Sequence, residues 1–187
     1  VSEGREERIA VAREALDRLV RDVQDFPEPG IVFKDIMPLL ADHDGFRAVV
    51  LALAESGRDE SGEVVVDKVI GMEARGFLVG APVALALGAG FAPVRKAGKL
   101  PGPTHAVSYD LEYGTATLEL HEDAVTPGDR VLLVDDVLAT GGTARATADL
   151  VRRCGGTVVG VAVLMELGFL AGRDRLGDLA VDSLAVV

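Results

Sequence analysis

The sequence predicts an α/β fold, a mostly parallel central sheet flanked by helices, and three observations carry that expectation. Short unbroken apolar runs such as Val131-Leu-Leu-Val134 mark strands buried on both faces. Such runs alternate along the chain with stretches whose apolar residues recur every three or four positions, the pattern of a parallel sheet covered by helices. Finally, 187 residues with 49% hydrophobic and 26% charged side chains can bury a sizeable core, which excludes global disorder. One domain is expected over 1–187. It would carry an N-terminal helix and hood segment over about 1–40 and a lid loop with a hairpin over about 95–121.

The elements follow in order. Ile9, Ala12, Leu16, Leu19 and Val23 predict a helix over 2–23. Two prolines and a glycine in the segment Phe26–Ile36 break it. A second helix is expected over about 44–57, a strand over 64–70, then the turn 71–76 and a helix to about Leu87. Phe91–Arg95 reads as a strand and Lys96–Thr104 as a Pro/Gly-rich loop. From Ser108 to His121 a hairpin is expected, with Ala116, Leu118 and Leu120 alternating against polar residues. The strand at 131–134, a helix from about Thr143, and strands at 158–165 and 181–186 complete the pattern. The hairpin and the N-terminal segment lie outside the alternation and are candidate lids.

Charge narrows the function. The net charge of −11 argues against a surface that grips nucleic acid. The 36 residues from Ala74 to Tyr109 nevertheless contain no acid and carry Arg75, Arg95, Lys96 and Lys99. A cationic island in an acidic chain suits a small, multiply charged anion. A lone cysteine, Cys154, excludes an internal disulfide and a cysteine-based metal cluster. The 76–94 stretch is too punctuated by Gly and Pro for a membrane span, and no signal-peptide pattern is seen. A cytoplasmic protein without membrane contact is expected. The chain starts at Val1 rather than Met, so residues ahead of it are expected to be missing.

The strongest motif is Val131-Leu-Leu-Val-Asp-Asp-Val-Leu-Ala-Thr-Gly-Gly-Thr143. Asp135 and Asp136 fall at a strand's carboxyl end, where open parallel sheets bind ligands. Ala139, Thr140, Gly141, Gly142 and Thr143 offer successive backbone N–H groups, two hydroxyls and a helix N-terminus to one phosphate. A triphosphate loop is excluded, because G-x-x-x-x-G-K-[ST] is absent. Capping a helix after a buried strand would explain Thr143 and a glycine, but not two adjacent carboxylates.

This segment resembles the phosphoribosyl pyrophosphate (PRPP) motif of the type I phosphoribosyltransferases. Phe26–Ile36, Gly71–Phe77, and Arg95–Pro103 with Tyr109–Gly114 are similar to the adenine-specific branch of that family. The resemblance runs from about residue 5 to 175. It implies the family's sheet and lid, transfer of phosphoribose from PRPP to adenine, and AMP and pyrophosphate as products. By the same resemblance, Ala139–Thr143 would hold the 5-phosphate, and Asp135 and Asp136 the ribose hydroxyls. Arg75 would meet the pyrophosphate in a turn that often holds a cis peptide, with Lys96 and Lys99 adding charge there. Glu112 and Tyr113 would close over the reacting atoms, with Glu112, Arg75 and Lys99 as the catalytic set. Phe33 would stack on the base while the backbone of Val32, Phe33 and Lys34 reads its edge. Mg2+ would arrive with PRPP rather than on protein ligands, and a homodimer is implied. Ala97 replaces a basic residue found in some members, which would weaken the pyrophosphate clamp by one charge.

Without that resemblance, Glu112 and Tyr113 read as ordinary hairpin residues, Lys96 and Lys99 as a solvated pair, and Phe33 as core. Two other functions stay in view. One is the same chemistry on another purine. The other is a PRPP-sensing regulator that binds DNA; seven acids against five bases in residues 1–25 speak against it.

Overall fold

The computed structural model describes residues 2–110 and 114–187. Helix α1 (Ser2–Leu19) ends earlier than its apolar spacing predicts. Val23 lies instead in strand β1 (Arg21–Gln24), which runs antiparallel to β2 (Val32–Asp35). The reason is charge pairing: Arg21 faces Asp35 and Asp22 faces Lys34, with side-chain contacts of 2.5 Å and 2.8 Å. Gly30, at φ +88°, turns the connecting loop and donates its N–H to Asp25 Oδ1 at 2.7 Å. These two strands form the hood.

Helices α2 (Met37–Ala41) and α3 (His43–Ala54) follow, the first of them not foreseen. Asp42 caps α3 by accepting the Gly45 N–H at 2.8 Å. The chain tightens into a 3-10 turn at Glu55–Gly57, where a helix to 57 was expected. The strand predicted over 64–70 is shifted, since β3 spans Lys68–Met72. Upstream, Val64 bridges only to Arg58 and the Val65 N–H is taken by the Gly57 carbonyl, so the sheet ladder begins at Lys68.

The remaining elements are α4 (Arg75–Leu87), β4 (Gly90–Lys96), β5 (Thr104–Asp110), β6 (Thr115–His121), β7 (Arg130–Leu138), α5 (Gly142–Arg153), β8 (Thr157–Glu166), α6 (Gly172–Leu176) and β9 (Val181–Val186). Seven strands form one sheet in the order β5-β6-β4-β3-β7-β8-β9. From β4 to β9 the pairing is parallel, as the sequence predicted. The hairpin was expected outside this pattern but extends the sheet: β6 pairs antiparallel with β4 at Arg95–Glu119 and Lys96–Leu118. Val107, Leu118 and Leu120 are buried in the core, and that burial ties the hairpin down.

Alternate strand residues feed two cores. Val69, Leu132 and Val134 face α1, α3 and α4, while Ile70, Val131 and Leu133 face α5. From β3 the chain continues to β4 on one side, while β7 lies on the other. That reversal of strand order leaves a crevice at the carboxyl ends of β3 and β7.

Candidate active site

Both edges of this crevice are built by close backbone approach. A Cβ on Gly76 would meet the Val134 carbonyl oxygen at 2.8 Å and Asp135 Oδ1 at 2.9 Å. Only glycine lets the first turn of α4 lie on β7 there. The seating carries Arg75 Nε to 2.9 Å from Asp136 Oδ2. The contact is ionic rather than a directed hydrogen bond, and the buried Oδ2 has no hydrogen-bond partner among the described residues. Asp136 shares the face of Leu132 and Val134, toward α4, and its neighbour Asp135 the opposite one. Strand β7 runs on to Leu138, so both acids sit within its last turns of pleat rather than beyond its end. Asp135 Oδ1 accepts the Asp136 N–H at 2.9 Å. Burial, and then the charge of Asp136, raise the Asp135 carboxyl well above its usual range. The peptide between Glu73 and Ala74, just ahead of Arg75, is cis.

Beyond β7, residues Ala139, Thr140, Gly141, Gly142 and Thr143 curl around a cavity of about 80 Å³ that Asp135 also lines. Helix α5 starts at Gly142, one residue before the predicted Thr143, and no side chain caps it. Its first N–H groups thus have no side-chain acceptor from the N-cap residue. Gly141 has φ +79°, and a Cβ there would collide with the carbonyl of Gly172 in α6. Tyr109 Oη lies 3.0 Å from Thr143 Oγ1, which brings β5 against this loop.

The predicted cations are collected on a residue the sequence reading passed over, Glu73. Lys99 Nζ lies 2.6 Å from Glu73 Oε1; Arg95 Nε and the Lys96 backbone N–H approach Oε2 at 3.4 Å and 2.9 Å. Burial pushes the Glu73 carboxyl up, but Lys99, the Lys96 N–H and Arg95 outweigh it and hold the group below its ordinary value. The Lys96 side chain itself is exposed. A signal for Glu73 was present: it is the acid that directly precedes the acid-free stretch beginning at Ala74.

The hood reaches the same place. Phe33 lies under the Arg75 guanidinium at 4.9 Å from its ring centroid, and Phe26 meets Phe33 edge-on at 5.1 Å. Val32 is exposed, and Lys34 turns away to Asp22. Glu112 and Tyr113 lie outside the described residues. A hollow of about 690 Å³, lined by Arg5, Arg8, Glu55 and Arg58, shares no lining residue with these groups.

A sheet with this switch point, an acid pair and a glycine loop opening a helix defines a phosphoribosyltransferase. The family model of the phosphoribosyl transferase domain matches residues 40–184, and the chain belongs to that family. Within it the chain falls among the adenine phosphoribosyltransferases. It is 69% identical over 169 residues to the adenine phosphoribosyltransferase of a Nocardioides species, covering 90% of this chain and 91% of the relative. The Thermobifida fusca enzyme of that name is 61% identical, with 92% and 96% covered. Among solved structures, the Rhodothermus marinus adenine phosphoribosyltransferase superposes with a TM-score of 0.87 at 52% identity, over 95% of this chain and 99% of that one. The Saccharomyces cerevisiae enzyme, complexed with an imino-altritol bisphosphate and adenine, gives 0.88 at 38%, over 94% and 99%.

Proposed function

We propose that the chain transfers the 5-phosphoribosyl group of PRPP to adenine, giving AMP and pyrophosphate, a step of purine salvage. One observation carries the reading: an uncapped glycine loop, two acids and Arg75 converge where β3 and β7 end. The names of the relatives, and the adenine bound to the yeast enzyme, support the choice of base.

In this reading the N–H groups and hydroxyls of Ala139–Thr143 hold the 5-phosphate. Asp135 and Asp136 accept the ribose hydroxyls, carboxylate oxygens being strong acceptors. The bond from the anomeric carbon to pyrophosphate breaks while the bond to adenine N9 forms. Arg75 meets the charge growing on the leaving group. Lys99 exchanges Glu73 for pyrophosphate as the 97–103 loop closes, with Lys96 at its base, and closure keeps water from the cation-like ribose. Glu112 accepts or shares the proton that adenine gives up, and Tyr113 covers the site. Phe33 stacks on the base, whose edge the backbone of Val32–Lys34 reads.

Mg2+ fits this donor set when it enters on PRPP, because two carboxylates already committed to ribose leave its shell to phosphate oxygens and water. Bound there, it supplies positive charge against pyrophosphate. A homodimer is supported by Leu78 and Leu85, 46% and 82% exposed on α4. No described helix is long and apolar enough to cross a membrane. We assign the reaction to the cytoplasm, in keeping with an unpaired Cys154.

The test is a spectrophotometric assay with PRPP, Mg2+ and a panel of purines. Adenine presents an amino donor and an acceptor along the edge where hypoxanthine and guanine present the reverse. Discrimination of about 10,000-fold or more is expected. Efficient turnover of hypoxanthine or guanine would leave only the class of reaction standing.

A further inference from the structure

The loop at Ala139–Thr143 offers a phosphate neutral donors only, yet a monoester phosphate near neutral pH carries close to two charges. Among the described residues, the cation of Arg175 lies against that loop. Gly141 and Gly172 touch through their backbones, which docks α6 on the loop. Arg175, one turn further along α6, is brought in by that docking. Its Cβ is 3.3 Å from where a Cβ on Gly141 would stand, and its Nη1 is 3.7 Å from the corresponding point on Gly142. The ring of Tyr109 lies against the same point at 3.0 Å. Arg175 and Tyr109 thus flank the residue that opens α5. The neighbouring Arg173 is occupied: it points away to Glu166 at 2.7 Å and to the Val181 carbonyl. Arg175 has no such carboxylate among the described residues, and its exposed stem leaves the guanidinium free to swing over the loop mouth.

We infer that Arg175 is a phosphate-binding residue, the cationic wall of the 5-phosphate pocket, and that it sets the preference for phosphorylated over unphosphorylated ribosides. This rests on the assignment of the 139–143 loop to the 5-phosphate. Guanidinium groups suit such a wall because their planar donors can pair with two phosphate oxygens at once. Tyr109 closes the other side and orients the Thr143 hydroxyl.

Calorimetric titration of the chain with AMP, adenosine and adenine tests the idea. Arg175→Gln is expected to weaken AMP by about tenfold, the scale of one partly solvated charge-assisted bond, and to leave adenosine and adenine unchanged. Arg175→Lys should recover part of the loss, which a merely structural role would not allow. The parallel variant Thr140→Val with Thr143→Val tests the loop on its own. If that variant loses AMP affinity while Arg175→Gln does not, the loop keeps its role and the inference about Arg175 is overturned. If neither loses affinity, the loop assignment falls and takes the inference with it. Equal weakening of AMP and adenosine by Arg175→Gln would mean that α6 only props the fold, and also overturns it.

Discussion

Asp136 is the residue most dependent on its partners. Its carboxylate is buried against Arg75, yet one oxygen has no directed donor among the described residues. Asp136→Asn is expected to raise KM for PRPP by about tenfold or more, since charge-assisted bonds of about 1.5–3 kcal/mol are lost. Adenine affinity should hardly move. Circular dichroism would verify that the variant folds, and an unchanged KM for PRPP in folded protein would remove Asp136 from the site. At this scale the sequence was most informative where the chemistry is contiguous. The acids and the loop of 135–143 are neighbours in the chain and stay neighbours in space. Glu73 meets Lys99 across 26 positions, and Tyr109 meets Thr143 across 34, and no local pattern encodes either contact.

Among the elements, β3 and β7 are joined at their amino ends by charge as well as by the ladder. Asp67 accepts from the Arg130 backbone N–H at 2.8 Å and from its guanidinium at 3.1 Å, and Lys68 reaches Asp129 at 3.2 Å. The hydrogen bonds from the Arg130 side chain and backbone hold the Asp67 carboxyl down at about 2. A depressed carboxylate stabilises the fold fully above its unfolded value near 3.8 and loses that contribution as the pH falls toward 2. Asp67→Asn should therefore be less stable than the parent at pH 5 and converge on it near pH 2, as followed by acid unfolding in urea. A constant difference across that range would assign the loss to something other than this carboxylate. The parallel strands were legible because burial on both faces writes an unbroken apolar run. The hood was not, because Leu19 and Val23 keep helical spacing while the pairing that overrides it, Arg21 with Asp35, comes from residues 14 positions apart.

At the scale of the whole molecule, one sheet unites the catalytic turns with the hairpin. Its register at Arg95–Glu119 and Lys96–Leu118 anchors the base of the 97–103 loop. The hood is held differently. Its two strands stand apart from the large sheet, and their cross-strand ion pairs, Arg21–Asp35 and Lys34–Asp22, are open to solvent on at least one side. A lone two-stranded ribbon is marginal in water, so these pairs matter more here than they would in a core. Solvated pairs of this kind contribute about 0.2–1 kcal/mol each and weaken as ions gather around them, with a screening length of roughly 10 Å at 0.1 M salt. Adenine itself is uncharged, so its affinity has no Coulomb dependence of its own. Raising sodium chloride from low to near-molar concentration should therefore loosen adenine binding by roughly two- to fivefold, through the stiffness of the ribbon that carries Phe33. Ionic strength, and not the concentration of neutral solutes, is therefore expected to set how firmly the hood presents Phe33.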